Sequence, residues 1–264
     1  MSTPLLEILR DGPVVRIVLN RPDKRNALTR AMLAELLPVL QCLAADTRLV
    51  VIAANGSAFC AGMDLQEMEA TAKLPDCAEV WQRDADLYRQ VVEALFLVPC
   101  PTLCVVQGPV FAGGVGLVLA CDLVVATEAA SFALPEPKRG ITASMVSPLL
   151  VHRLGSGPAG WLLLSGQTVS ARDAAQLGMI HRLLDSKTFA DDIAALIATL
   201  LAGAPNALRV TKQQLQHNVG PRLRAEWDRA AQLSAASRGQ PEAREGLQAF
   251  LEKRSPNWVP KGAN

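Results

Sequence analysis

Two turns of small residues, each set directly behind a β-branched run, restrict this chain more than any other feature. The first, Ser57-Ala58-Phe59-Cys60-Ala61-Gly62-Met63-Asp64, follows the run 48–54. The second runs from Gly108 through Ala112, Gly113, Gly114 and Gly116; it follows 102–107 and opens an apolar helical stretch. Small residues at such places let backbone N–H groups approach a ligand closely. A helix start adds a partial positive charge. Two N–H donors aimed at one oxygen would form an oxyanion hole for a developing enolate. The same glycines would also serve tight turns and close helix–strand packing, and the residues alone leave both readings open. The second turn lacks the G-x-G-x-x-G order of a dinucleotide site and the Gly-Lys-Ser/Thr of a phosphate loop.

Strand and helix signals alternate through the first half. Residues 5–9 and 14–19 predict a hairpin around Asp11-Gly12-Pro13. Thr29 is placed to cap a helix reaching about residue 45, with Pro38 as a kink inside it. A long helix is expected over 76–97, stopped by Pro99 and Pro101, and a short apolar one over 113–121, before a strand at 123–127. Helical segments then follow at 147–153, 158–164, 171–177 (capped by Ser170, stopped by Gly178) and 189–201. Beyond Pro205 the pattern is helical throughout, over 207–219, 222–238 and 241–253. The expected organisation is an α/β core over 1–204 and an all-helical segment over 205–264.

Composition removes several classes. The chain has 264 residues, half of them hydrophobic, which is ample for a large buried core. A formal net charge of +1 with no basic block, and only 4% aromatic residues, argue against a nucleic-acid surface. No apolar stretch reaches the roughly 18–20 residues that span a bilayer, and the first ten residues lack signal-peptide form. Six scattered cysteines, mostly in apolar segments, read as free thiols in a reducing cytoplasm. With three histidines and no zinc spacing, no metal site is expected.

Ordered motifs carry the argument further. Asn20-Arg-Pro-Asp-Lys-Arg-Asn26-Ala27-Leu28, Phe59 through Leu65, Gln107-Gly108 through Gly114 and on to Cys121-Asp122 occur in sequence. Ser131-Phe132-Ala133-Leu134-Pro135-Glu136 with Gly140, then Thr168 with 171–178, then Glu245-Gly246, Ala249-Phe250 and Glu252 through Pro256 complete the series. Together they resemble the crotonase (enoyl-CoA hydratase/isomerase) superfamily from residue 20 to 256. The resemblance implies an α/β fold of repeated ββα units coiled into a spiral, with a helical C-terminal segment, in trimers or hexamers. It implies an acyl-CoA substrate whose coenzyme A is part of the substrate, with no separate cofactor. It places the oxyanion hole at the N–H groups of Met63 and Gly113. It lays the CoA along Ala61, Met63, Asp64 and Leu65 near Arg25, with Phe250 and Lys253 reaching it from the C-terminal region. A solvated helix charge is the competing reading of Lys253.

The chain departs from typical hydratases of that family at one of two glutamates. Glu136 holds the second position, but Gly116 stands at the first. One carboxylate can take a proton from water and deliver it to the α-carbon. The apolar neighbours Phe132, Leu134, Pro135 and Pro137 should raise its pKa. A glycine at 116 and the Ser147-Pro148-Leu149 segment are similar to bacterial methylglutaconyl-CoA and isohexenylglutaconyl-CoA hydratase-like proteins, which belong to leucine and acyclic terpene breakdown. The expected activity is therefore hydration of a β-branched glutaconyl-type thioester. Gly114 and Gly116 would make room in the substrate pocket, and Lys138 or Arg139 would meet a distal carboxylate. The alternatives are a Δ3-Δ2 enoyl-CoA isomerase using the single glutamate and, from another class, a non-catalytic acyl-CoA- or RNA-binding protein. His152, His181 and His217 have no motif support.

Overall fold

The computed structural model describes residues 3–260. The chain starts with strands β1 (Leu6–Asp11) and β2 (Val14–Leu19), paired antiparallel from Leu6↔Leu19 to Asp11↔Val14. Helix α1 (Arg30–Gln41), strand β3 (Leu49–Ala54) and helices α2 (Leu65–Ala72) and α3 (Cys77–Leu97) follow. Then come β4 (Thr102–Val106), β5 (Val110–Phe111), α4 (Gly113–Ala120), β6 (Leu123–Thr127) and β7 (Ser131–Ala133). Helices α5 (Ser147–Leu154) and α6 (Ser156–Ser165), strand β8 (Val169–Ser170), helix α7 (Ala171–Gln176), strand β9 (Arg182–Leu184) and helix α8 (Phe189–Ala202) complete the core. Helices α9 (Pro205–Arg238) and α10 (Pro241–Leu251) close it.

Six strands form one sheet in the order β1-β2-β3-β4-β6-β9, parallel throughout beyond the first hairpin. Three short strands form a second sheet, β5-β7-β8. From β4 onward the chain passes back and forth between the two sheets, so that β4 and β5, β6 and β7, and β8 and β9 each place one strand in either sheet, with helices or turns between them. That is the spiral of ββα units expected from the sequence. The large sheet is buried on both faces, with Val50, Val51, Leu103 and Val125 at 1% exposure or less, as a covered parallel sheet requires.

The structure corrects several local expectations. Helix α9 runs unbroken through Pro221, in place of the two helices expected there. Proline removes its own N–H from the ladder and crowds the carbonyl one turn back, and buried Leu223, Trp227, Ala230 and Ala231 hold the following turns against the core despite that cost. Trp227 meets Phe96 of α3 edge-on, with ring centroids 5.9 Å apart. Helix α1 ends at Gln41, one turn short of the expectation, where the Cys42 N–H bonds the Pro38 carbonyl. Helix α2 is an addition to the expected elements. So are β5, β7, β8 and β9, because strands of two or three residues carry no readable periodicity.

Candidate active site

The two small-residue turns lie side by side, joined backbone to backbone. Phe59 N–H bonds the Pro109 carbonyl (3.0 Å) and Phe111 N–H bonds the Cys60 carbonyl (2.8 Å). Gly62 adopts φ +87°, and a Cβ there would lie 2.7 Å from the Ala112 Cβ. A side chain on Gly108 would overlap the Ser57 carbonyl. Both glycines therefore exist for close approach of the loops. The docking leaves the Met63 and Gly113 N–H groups without an acceptor among the described residues, while their neighbours Ala61, Asp64, Ala112 and Val115 are all bonded. Ala112, at φ +52° and ψ −124°, holds a backbone conformation rare for a side-chain-bearing residue, and this sets the direction of the Gly113 N–H.

The motif residues around these loops prove to be scaffolding. Asn26, itself at φ +53°, sends its Nδ2 to the carbonyls of Asn55 (2.8 Å) and Ala58 (2.9 Å). Its Oδ1 accepts from Arg21 N–H (2.8 Å), and the Arg25 carbonyl accepts from Ala61 N–H (2.9 Å). Asp64 caps α2 through the N–H groups of Gln66 and Glu67, and its other oxygen takes the Arg21 guanidinium at 3.1 Å. Its carboxylate is thus engaged on both sides.

Glu136 opens a single 3-10 turn, Glu136–Arg139, behind β7. Helix α10 covers that turn by two contacts that admit no side chain. A Cβ on Gly140 would overlap the Glu242 carbonyl, and one on Gly246 would overlap the Arg139 carbonyl. The Glu136 carboxyl is buried, and its Oε2 has no hydrogen-bond partner among the described residues. Burial pushes its pKa up to about 7, with its own backbone N–H pulling weakly the other way.

These elements enclose one cavity of about 420 Å³. Of the residues expected at a site, Arg25, Ala61, Met63, Asp64, Leu65, Gly113, Glu136, Arg139 and Phe250 line it. Four do not. Gly114 is covered by Cys60, whose side chain lies where a Cβ would point. Lys138 is exposed, its aliphatic stem against Gly166. Lys253 is exposed just past the end of α10. Gly116 is the largest correction, because the room its missing side chain leaves is filled by the Tyr88 hydroxyl. Tyr88, the chain's single tyrosine, is buried, lines the cavity, and donates its O–H to the Gly113 carbonyl at 2.5 Å. Burial pushes its pKa well up, and the Cys60 thiol and Glu136 add to the rise. The only signal for it in the sequence is a polar-tipped residue on the buried stripe Trp81–Asp84–Ala85–Tyr88 of α3.

A methyl group at position 116 must displace that phenol, so Gly116→Ala is expected to destabilise the fold by about 1–3 kcal/mol. Tyr88→Phe removes the obstructing oxygen, and the double variant should then lose less than the sum of the single losses. A thermal-denaturation double-mutant cycle measures this coupling. Strict additivity would mean that the methyl group finds room elsewhere.

A carboxyl poised near neutrality and two free N–H groups around one apolar cavity define a site for proton transfer next to a polarised carbonyl. Comparison with known proteins gives the family. Residues 10–261 match the model of the enoyl-CoA hydratase/isomerase family. A Thermus thermophilus relative named after enoyl-CoA hydratase is 38% identical over 249 residues, covering 94% of this chain and 98% of its own. The 2,3-dehydroadipyl-CoA hydratase of Escherichia coli K12 is 32% identical over 260 residues, covering 96% and 98%. The crystal structure of an enoyl-CoA hydratase from Mycobacterium avium superposes with a TM-score of 0.87 at 32% identity, covering 98% and 100%. The chain belongs to the enoyl-CoA hydratase/isomerase family, and it is an enzyme of the crotonase superfamily.

Proposed function

We propose that this enzyme adds water across the 2,3 double bond of an enoyl-CoA thioester of the β-branched glutaconyl type. The observation that carries the reaction is Glu136, the one cavity carboxylate among the described residues with an unengaged oxygen. The thioester oxygen sits between the N–H groups of Met63 and Gly113. The ionised Glu136 takes a proton from water as the water oxygen bonds to C3, and the π electrons move onto the thioester oxygen as an enolate. Glu136 then returns that proton to C2, which collapses the enolate. Arg25, Ala61, Leu65 and Phe250 receive the CoA moiety. A branch at C3 cannot use the space beside Gly116, so it lies against Ala143, Met145 and Val146 instead. The name of the Escherichia coli relative, a hydratase of a dicarboxylic acyl-CoA, supports a second acid group on the substrate.

A single free carboxylate also suits a Δ3-Δ2 isomerase, in which Glu136 would carry a proton between C4 and C2. Turnover in isotopically labelled water separates the two. Hydration places solvent oxygen at C3 of a 3-methylglutaconyl- or isohexenylglutaconyl-CoA product. Rapid migration of a linear 3-enoyl double bond, with no oxygen uptake from any branched diacid ester, would overturn the hydratase reading.

A further inference from the structure

Six buried side-chain atoms lack a hydrogen-bond partner among the described residues, and three of them surround the same cavity and its side pocket: Glu136 Oε2, Trp81 Nε1 and Arg238 Nη1. Glu136 belongs to the proton transfer. The other two are donors that the proton transfer does not use. On α3 the residues Trp81, Asp84, Ala85 and Tyr88 follow the i, i+3, i+4, i+7 spacing of one buried face. Tyr88 touches Gly113, so that end of the stripe is the reaction centre. Asp84, which acts electrostatically on Arg238, is one helical turn further along, about 5.4 Å away. The side pocket beyond, about 30 Å³, is bounded by Trp81, Arg238 and Arg139.

Arg238 is only 9% exposed. Burial presses its pKa down, Asp84 opposes that, and Arg30 adds to it. Asp84 directs both carboxylate oxygens to Arg30, at 2.5 Å and 2.8 Å, and Arg238 Nη1 is left without a hydrogen-bond acceptor among the described residues. Glu67 accepts from the Arg30 backbone N–H. Arg139 borders the same pocket with its guanidinium 3.6 Å over the Phe250 ring, but none of its nitrogens is among the buried atoms that lack a partner. A guanidinium buried without an acceptor is costly, and such groups are held where an anion meets them.

We infer that Arg238, on the wall shared by the cavity and the side pocket that Trp81 also lines, is the receptor for a carboxylate at the far end of the acyl chain, so that the pocket selects dicarboxylic acyl-CoA thioesters. This deepens the acyl-CoA reading above and rests on it. It moves the expected cation from Lys138 or Arg139, on the Glu136 turn, to the end of α9. The proposed glutaconyl-type substrate and the adipyl chain in the name of the Escherichia coli relative set the diacyl chains to test at five and six carbons. A water molecule bridging the two donors is the alternative occupant.

Saturated thioesters test this without chemistry. Glutaryl-CoA is compared with pentanoyl-CoA, and adipyl-CoA with hexanoyl-CoA, by titration calorimetry on wild type, Arg238→Met and Arg238→Lys. In at least one pair the wild type should bind the diacid ester tenfold tighter or more, the range of about 10- to 100-fold that a charge-assisted hydrogen bond supplies. Arg238→Met should abolish the preference by weakening the diacid esters far more than the monoacid esters, and Arg238→Lys should keep part of it. Equal wild-type affinity within both pairs, or a preference that survives in Arg238→Met, overturns the inference. If the methionine variant fails to fold, Arg238→Lys and Arg238→Gln are compared in its place, and a full wild-type preference in Arg238→Gln overturns the inference. Failure of all four esters to bind removes the acyl-CoA reading and this inference together, whereas binding without preference removes the inference alone.

Discussion

Glu136→Gln should lower kcat by about 10²–10⁴-fold while leaving the affinity for a saturated acyl-CoA within a few-fold. The amide keeps the shape of the buried side chain but cannot take a proton from water. Wild-type kcat/KM should fall as pH drops through about 7, because protonation removes the base. The same group makes a stability prediction with the opposite sense. Its folded pKa, about 7, is raised above the ordinary 4.5. The stability it contributes is therefore fully present below pH 4.5 and is lost as pH rises through 7. Ionisation thus costs the folded wild type roughly 3 kcal/mol at pH 8, since each tenfold rise in proton affinity on folding is worth about 1.4 kcal/mol. Glu136→Gln escapes that cost, so its melting temperature should exceed the wild type's at pH 8, with the gap closing by pH 4.5. Activity within about threefold of wild type would remove Glu136 from the mechanism.

Gly113→Pro is expected to lower kcat by about 10²–10³-fold, the usual effect of losing one oxyanion donor. Gly113 is the first residue of α4, a position where proline's fixed φ and missing N–H are well tolerated in a helix. The substitution therefore removes the donor with less damage to the helix than it would cause further in. Gly113→Ala is the control for bulk. Its methyl group would meet the edge of the Tyr88 ring at 3.2 Å, a contact that a small ring movement relieves, and its N–H survives. Steady-state kinetics on both variants, with melting curves to confirm folding, isolate the hydrogen bond. Wild-type kcat in the proline variant would show that the thioester oxygen is received elsewhere.

Much of this molecule is legible in its sequence. Buried parallel strands read as β-branched runs, Thr29 and Ser170 cap α1 and α7 through side-chain bonds to Met32 and Asp173, and Glu136 stands in a recognisable setting. These are local signals, carried by neighbours in the chain or by a motif whose spacing survives translation into one dimension. The roles of the motif glycines are not legible in the same way. Gly62 and Gly108 are small because another loop presses on them, and Gly140 and Gly246 because α10 lies on the Glu136 turn. Those are contacts between residues far apart in sequence.

The gap at Gly116 shows the same limit more sharply. A missing glutamate suggests open space for a branched substrate, but the space belongs to Tyr88, 28 positions earlier on a different helix. Likewise the cations beside Glu136 in the chain, Lys138 and Arg139, are the natural candidates for a distal carboxylate when only sequence neighbours are known. Tertiary packing turns Lys138 to the surface, stacks Arg139 on Phe250, and brings Arg238 to the cavity wall from about a hundred residues away. The family and the alternation of strand and helix could be read from the chain alone, as could Glu136 as the candidate for proton transfer, because backbone propensity and motif spacing are local properties. Which side chains fill the space around the reacting atoms was decided only by the tertiary structure, because filling a volume depends on every element that borders it.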